Sequence, residues 1–130
     1  MKKPELIFLV AVMVLLGACA TTSDFPVSDI VPAAEITVKK KQEKNSNYRI
    51  IVNARNLASP DRLTPPANCY TVWINSSNGY RKVGQLTKKN ARSATLESLV
   101  PFDFYEVSVT AERDTEISYP TGPEISRTFL

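Results

Sequence analysis

From Ala33 onward the apolar and polar positions alternate with period two. Glu35-Ile36-Thr37-Val38-Lys39 sends Ile36 and Val38 to one face. Tyr48-Arg49-Ile50-Ile51-Val52-Asn53-Ala54-Arg55 sends Tyr48, Ile50, Val52 and Ala54 to another, after a turn cluster at Glu43-Lys44-Asn45-Ser46-Asn47. The two stretches predict an antiparallel hairpin. Pro60, Pro65 and Pro66 make Ala58–Asn68 a crossing loop. A dense β-branched and aromatic run follows, Tyr70-Thr71-Val72-Trp73-Ile74, which reads as a central strand. Ser76-Ser77-Asn78-Gly79 predicts a tight hairpin turn with a return strand over Tyr80–Leu86. Ala94–Leu99 is a shorter strand ending before Pro101. Tyr105–Ala111 alternates cleanly, with Tyr105, Val107, Val109 and Ala111 inward. Tyr119-Pro120-Thr121-Gly122-Pro123 then breaks the chain before a last strand, Ile125–Phe129.

That makes seven short strands and no helix of useful length. One open sheet could not bury both faces of so many strands, so the pattern predicts an all-β fold. Its form is a seven-stranded antiparallel sandwich, immunoglobulin-like or fibronectin-III-like.

The N-terminal pattern is different. Met1-Lys2-Lys3 is basic, and Leu6–Ala20 is apolar and uncharged. A basic start, a short apolar run and small residues at its end form a secretory signal peptide. As a helix, fifteen residues reach about 22 Å, short of the ~30 Å hydrocarbon core that a membrane-spanning segment must cross. The run is also apolar all round, unlike a helix with one buried face.

The last residues of the run, Leu16-Gly17-Ala18-Cys19, resemble the lipobox of bacterial lipoproteins. The resemblance implies a diacylglycerol on the Cys19 thiol, cleavage just before it and acylation of the new N-terminus. Membrane lipid held through Cys19 is then a permanent anchor, because two or three acyl chains hold stably where one does not. Ala20 follows Cys19 where Asp would resemble an inner-membrane retention signal, which points to the outer membrane of a bacterial cell envelope. The domain organisation predicted is 1–18 as a cleaved signal peptide, 19–33 as a lipidated N-terminus with a flexible tether, and 34–130 as the β-sandwich. The tether reading rests on Thr21–Pro32, which is polar, holds Pro26 and Pro32, and shows no sustained period.

Composition narrows the function. Losing Lys2, Lys3 and Glu5 with the signal lowers the formal charge from +3 to +2, too mild a basic excess to predict nucleic-acid binding. There is no histidine, which removes the commonest general base and metal ligand together with any Ser–His or Cys–His pair. No metal site or cofactor is predicted. The chain has two cysteines, so a lipidated Cys19 leaves Cys69 without a partner for a disulfide.

Tyr70-Thr71-Val72-Trp73-Ile74, Gly84-Gln85-Leu86, Val109-Thr110-Ala111-Glu112 and Pro120-Thr121-Gly122-Pro123 resemble, in the same order, the extracytoplasmic domain of anti-sigma-K-type proteins. That domain carries a Tyr-x-Leu-Trp strand, a Gly on the next hairpin arm, a Val-Thr-x-Glu strand and a Pro-Thr-Gly-Pro. The chain as a whole also resembles small bacterial lipoproteins with Leu63-Thr64-Pro65-Pro66 before the Trp strand and Val100-Pro101-Phe102 before the sixth. The anti-sigma resemblance implies a sandwich, and an extracytoplasmic sensor as an alternative function. It does not carry sigma binding, since such proteins place a sigma-binding segment and a membrane helix before the sandwich.

The remaining candidates carry weak signals. Cys69 has no nearby helix start, cation cluster or His to activate it, and reads as a buried thiol. Trp73 reads as core rather than as a platform for sugars, and Tyr80 and Tyr119, beside turns, as more exposed. Lys39-Lys40-Lys41 with Lys44 reads as protection of an exposed strand edge rather than as an anion site, and alternation splits Lys40 from its neighbours. Asp103 with Glu106, and Glu112 with Asp114, are carboxylate pairs close in sequence with no partner motif beside them, and a pair drawn from separate elements stays open. The function predicted is a non-catalytic binding or structural module, its second partner another envelope protein and its ligand and oligomeric state open. A thiol- or carboxylate-based enzyme is the remaining alternative.

Overall fold

The computed structural model describes residues 20–130, and over them the chain forms nine strands in two antiparallel sheets. The strands are β1 Ala20–Asp24, β2 Glu35–Gln42, β3 Tyr48–Arg55, β4 Cys69–Ser76, β5 Gly79–Gln85, β6 Thr87–Asn90, β7 Ser93–Val100, β8 Glu106–Glu112 and β9 Glu124–Phe129. One sheet has the order β1-β2-β3-β7-β6, the other β5-β4-β8-β9. The predicted signal peptide and Cys19 lie outside the described residues. No described helix is long and apolar enough to cross a membrane.

The core is the set of inward positions that alternation marks. Ile36 and Val38 of β2, Ile50, Val52 and Ala54 of β3, Val72 and Ile74 of β4, and Val107 and Val109 of β8 are all buried between the sheets. Each such aliphatic side chain contributes about 1.5–3 kcal/mol on leaving water. Registers keep the rows aligned, with Val38 opposite Val52 and Val52 opposite Leu96 in one sheet, and Val72 opposite Val109 in the other.

The sandwich has two distinct ends. At the near end lie the 43–47 and 77–78 hairpins, the 101–105 connection, Ala20 and Phe129. At the far end lie the 56–68 crossing loop, the β5–β6 corner, the 91–92 turn and the 113–123 loop. The Asn-Gly signal falls where expected, with Gly79 opposite Ser76 and its φ of +88° supplying the left-handed conformation that closes the hairpin.

Four expectations need correction. Seven strands become nine, because β1 and β6 form at sheet edges. The 19–33 segment is not a free tether over the residues described. Ala20–Asp24 pairs with Lys41–Thr37 of β2, and Phe25 and Val31 are buried in the core. Ser28 caps the following turn by accepting from the Ile30 and Val31 amides, both at 3.1 Å. Because β1 covers β2, the lysine run does not sit on an edge strand. Tyr105, expected inward, lies just before β8 and is exposed, while Phe104 takes the buried place beside it.

Candidate functional site

The stretches Tyr70–Ile74, Val109–Glu112 and Pro120–Pro123 meet on the outer face of the four-stranded sheet. Trp73 alternates outward from Val72 and Ile74, yet it has 0% of its surface exposed. Opposite it on β5 is Lys82, whose ammonium donates to the Thr115 carbonyl at 2.9 Å, drawing the 113–123 loop across β4 as a roof. The Trp73 indole N–H donates to Thr110 Oγ1 at 2.8 Å, and the Thr110 hydroxyl donates to Glu112 Oε2 at 2.6 Å. Glu112 also accepts from the Thr121 hydroxyl at 2.7 Å and the Gly122 amide at 2.8 Å. Trp73 is therefore buried, but beneath a loop rather than between the sheets. The motifs spend their polar atoms on one another and hold the roof down.

The other carboxylates are also engaged. Asp103 receives the Lys40 ammonium at 2.7 Å, which with the Phe104 amide holds its carboxyl below the usual range. Lys40 also donates to the Phe104 carbonyl at 2.9 Å and lies over the Tyr48 and Phe104 rings, so it closes the near end of the core. Glu106 is buried and takes Tyr80 and Arg127 as partners. Asp114 caps its own loop by accepting from the Glu116 amide. Asp103 and Glu106 thus point to different partners, as do Glu112 and Asp114, and neither pair converges on an open space.

A cleft of about 470 Å³ opens at the far end. Leu57, Ala58, Pro60, Tyr70 and Leu86 supply its apolar wall. Asn68, Cys69, Gln85, Thr87, Asn90 and Ser93 supply polar atoms, and Lys88 and Arg92 supply charge. Among the described residues no Asp or Glu lines it.

Local bonds make the cleft a built feature. The Tyr70 hydroxyl donates to the Ala58 carbonyl at 2.6 Å and fixes the crossing loop, and burial pushes its pKa up to about 12. The Leu86 amide donates to the Tyr70 carbonyl at 2.9 Å, setting the β5–β6 corner against the same residue. Arg92 is held on both sides of its backbone, its amide donating to Asn90 Oδ1 and its carbonyl accepting from the Asn56 amide. Its guanidinium and the Lys88 ammonium have no acidic partner among the described residues.

Cys69, expected buried, is half-buried on the rim of this cleft, with Sγ 3.6 Å from the Glu112 carbonyl. Tyr80 and Tyr119 are exposed, as their turn positions predict. Among the described residues no group of three or more Cys, Asp or Glu side chains is placed to hold a metal ion. The predicted site residue Cys19 falls just ahead of β1, outside the described residues. Sequence reasoning missed the cleft because its wall comes from three separated stretches, and the motif residues among them, Tyr70, Gln85 and Leu86, carry no sign that they face one opening. Comparison with protein-family models, curated proteins and solved structures found no match.

Proposed function

We propose that the chain is a lipid-anchored, non-catalytic binding module of the bacterial cell envelope, fixed through Cys19 and taking an anionic ligand in the far-end cleft. The observation that carries the reading is the pair of unpartnered cations, Lys88 and Arg92, beside an apolar wall free of carboxylates. A ligand bearing a carboxylate or phosphate next to an apolar portion satisfies both surfaces. Guanidinium groups favour such oxyanions through paired N–H donors.

The strand order also supports an immunoglobulin-type sandwich. With β2, β3, β7 and β6 as strands A, B, E and D, and β4, β8 and β9 as C, F and G, the two sheets take the ABED and CFG arrangement, with β5 beside C and β1 added outside A. The tryptophan on strand C lies outside the sheet instead of against an inter-sheet disulfide. The outer membrane, from Ala20 after Cys19, is part of the same proposal.

Two experiments test it. Cys19→Ser should release the protein from membranes and abolish palmitate labelling; continued labelling sinks the anchor. For the cleft, melting of the protein is followed with phosphate, citrate and hexanoate. A probe at ten times its Kd stabilises by roughly 1.4 kcal/mol, a rise of about 5 °C for a domain this size. The Lys88→Glu/Arg92→Glu protein should show no rise. If no probe shifts the wild type, or charge reversal leaves the shift intact, the anionic-cleft reading is wrong.

A further inference from the structure

Seven large hydrophobic side chains are exposed among the described residues, and four of them collect at the near end: Tyr80 (41%), Leu99 (52%), Tyr105 (48%) and Phe129 (63%). They come from both outer faces of the sandwich and from the 101–105 connection, so they ring that end rather than lining one groove. The other three, Val27, Ile30 and Tyr119, lie in far-end loops, and what distinguishes the near end is that its four share the rim with the start of β1 at Ala20.

The charges at this end are arranged to suit a lipid surface. Its side-chain carboxylates each contact a cation: Glu43 and Glu97 share Arg49, Asp103 takes Lys40, and Glu106 shares Arg127 with Glu124. Lys41 and Lys44 are left without acidic partners among the described residues. Tyrosines and apolar side chains bordered by free lysines are the side chains that settle at a bilayer interface, with the ammonium groups at lipid phosphates.

The position of the anchor selects this occupant over others. Ala20 is the first residue of β1, and it pairs with Lys41 at the near end. Cys19 precedes it directly, one Cα step of about 3.8 Å away. With β1 bonded into the sheet, no slack remains between an acylated Cys19 and the sandwich.

We infer that the near end docks on the lipid surface itself, with Leu99, Tyr105 and Phe129 entering the interface and Lys41 and Lys44 meeting phosphates. The inference rests on the lipid-anchor reading. It fixes an orientation: β3 spans about 27 Å at 3.4 Å per residue, so the cleft is presented roughly that far from the membrane.

The test uses the full-length lipidated protein in vesicles of phosphatidylethanolamine and phosphatidylglycerol, in a Cys69→Ser background. Single cysteines carrying a fluorophore are placed at Leu99, at Tyr105 and, as the far-end control, at Ala91. All three positions are exposed, so the fold tolerates the label. Nitroxide-bearing lipids should quench the labels at 99 and 105 about threefold or more over the label at 91, given interfacial burial of about 5–10 Å. Equal quenching at the three sites in protein that floats with the vesicles overturns the docking and leaves the anchor standing. Shielding at 99 and 105 that rises with protein density, without lipid quenching, overturns it in favour of a second copy. Protein that neither floats nor carries diacylglycerol on its N-terminal peptide overturns the anchor and the docking together.

Discussion

Glu112 has 1% of its surface exposed, and its two oxygens take donors from β8 and from the roof loop. Removing them strands several buried donors at once, each costing about 1–3 kcal/mol. Glu112→Ala should therefore lose about 3 kcal/mol in urea unfolding, and Glu112→Gln less, because one acceptor survives. Thr110→Val should lose about 1–3 kcal/mol, because it leaves the Trp73 N–H without an acceptor. Gly122 is constrained from the other side. A Cβ there would lie 1.8 Å from the Ala111 carbonyl oxygen, so the backbone must separate and the Ala111 amide to Pro123 carbonyl bond must stretch. Gly122→Ala should cost about 3 kcal/mol or more, in the range of severe core changes, and red-shift Trp73 emission as the roof loosens. Tyr70 gives a pH dependence. Its folded pKa of about 12 lies above the ordinary value of 10.0, so the folded state holds the proton more tightly than the unfolded chain. The resulting stability is complete below pH 10 and is lost as pH rises towards 12. Tyr70→Phe should flatten that alkaline loss, measured by urea unfolding at steps between pH 9 and 12.

At the scale of elements, β1 and its following turn join the two sheets. Ser23 Oγ lies 2.7 Å from Thr128 Oγ1 on β9, and the Ser126 hydroxyl donates to the Pro26 carbonyl at 2.8 Å. Phe25 is nearly buried beneath this seam. Phe25→Ala should destabilise the fold by about 3 kcal/mol, near the lower end for buried Phe, whereas a free tether would tolerate it unchanged. Cleavage before Asp24 and Asp29 by an Asp-directed endoprotease should then track global unfolding rather than proceed in the native state. The sequence hid this element for a physical reason. Ala20–Asp24 and Thr87–Asn90 pair at sheet edges and bury no apolar side-chain row, so neither leaves a period-two apolar trace. β2, β3, β4 and β8 each bury an apolar row, and those rows were legible. The polar row of β8, Glu106, Ser108, Thr110 and Glu112, reads as a solvent face by alternation but is buried under partners and the roof. The resemblance motifs pointed to those residues without saying that they contact one another. The cleft was illegible because residues far apart in the chain form it.

At the scale of the whole molecule, each sheet supplies one inner face of a shared core over the described residues. Neither could stay folded with Val38, Ile50 and Val52, or Val72, Val107 and Val109, facing water. At roughly 1.5–3 kcal/mol per side chain, exposing such a trio forfeits about 5–9 kcal/mol, comparable with the 5–15 kcal/mol that holds a domain together. The seam at Ser23–Thr128 and the clasp of Lys40 on Asp103 tie the sheets at separate places, so local opening of one edge does not separate them. Trp73 is the chain's single tryptophan and reports the outer face of the four-stranded sheet, while far-ultraviolet circular dichroism reports both sheets. If the sandwich unfolds as a unit, the two signals should give one midpoint in urea and the same slope. Phe25→Ala, on the five-stranded side, should move both midpoints together. A tryptophan transition that stays in place while the dichroism shifts would show that the four-stranded sheet holds its structure alone. The near end could then not transmit a fixed orientation to the cleft, and the anchored domain would have no rigid axis between membrane and ligand.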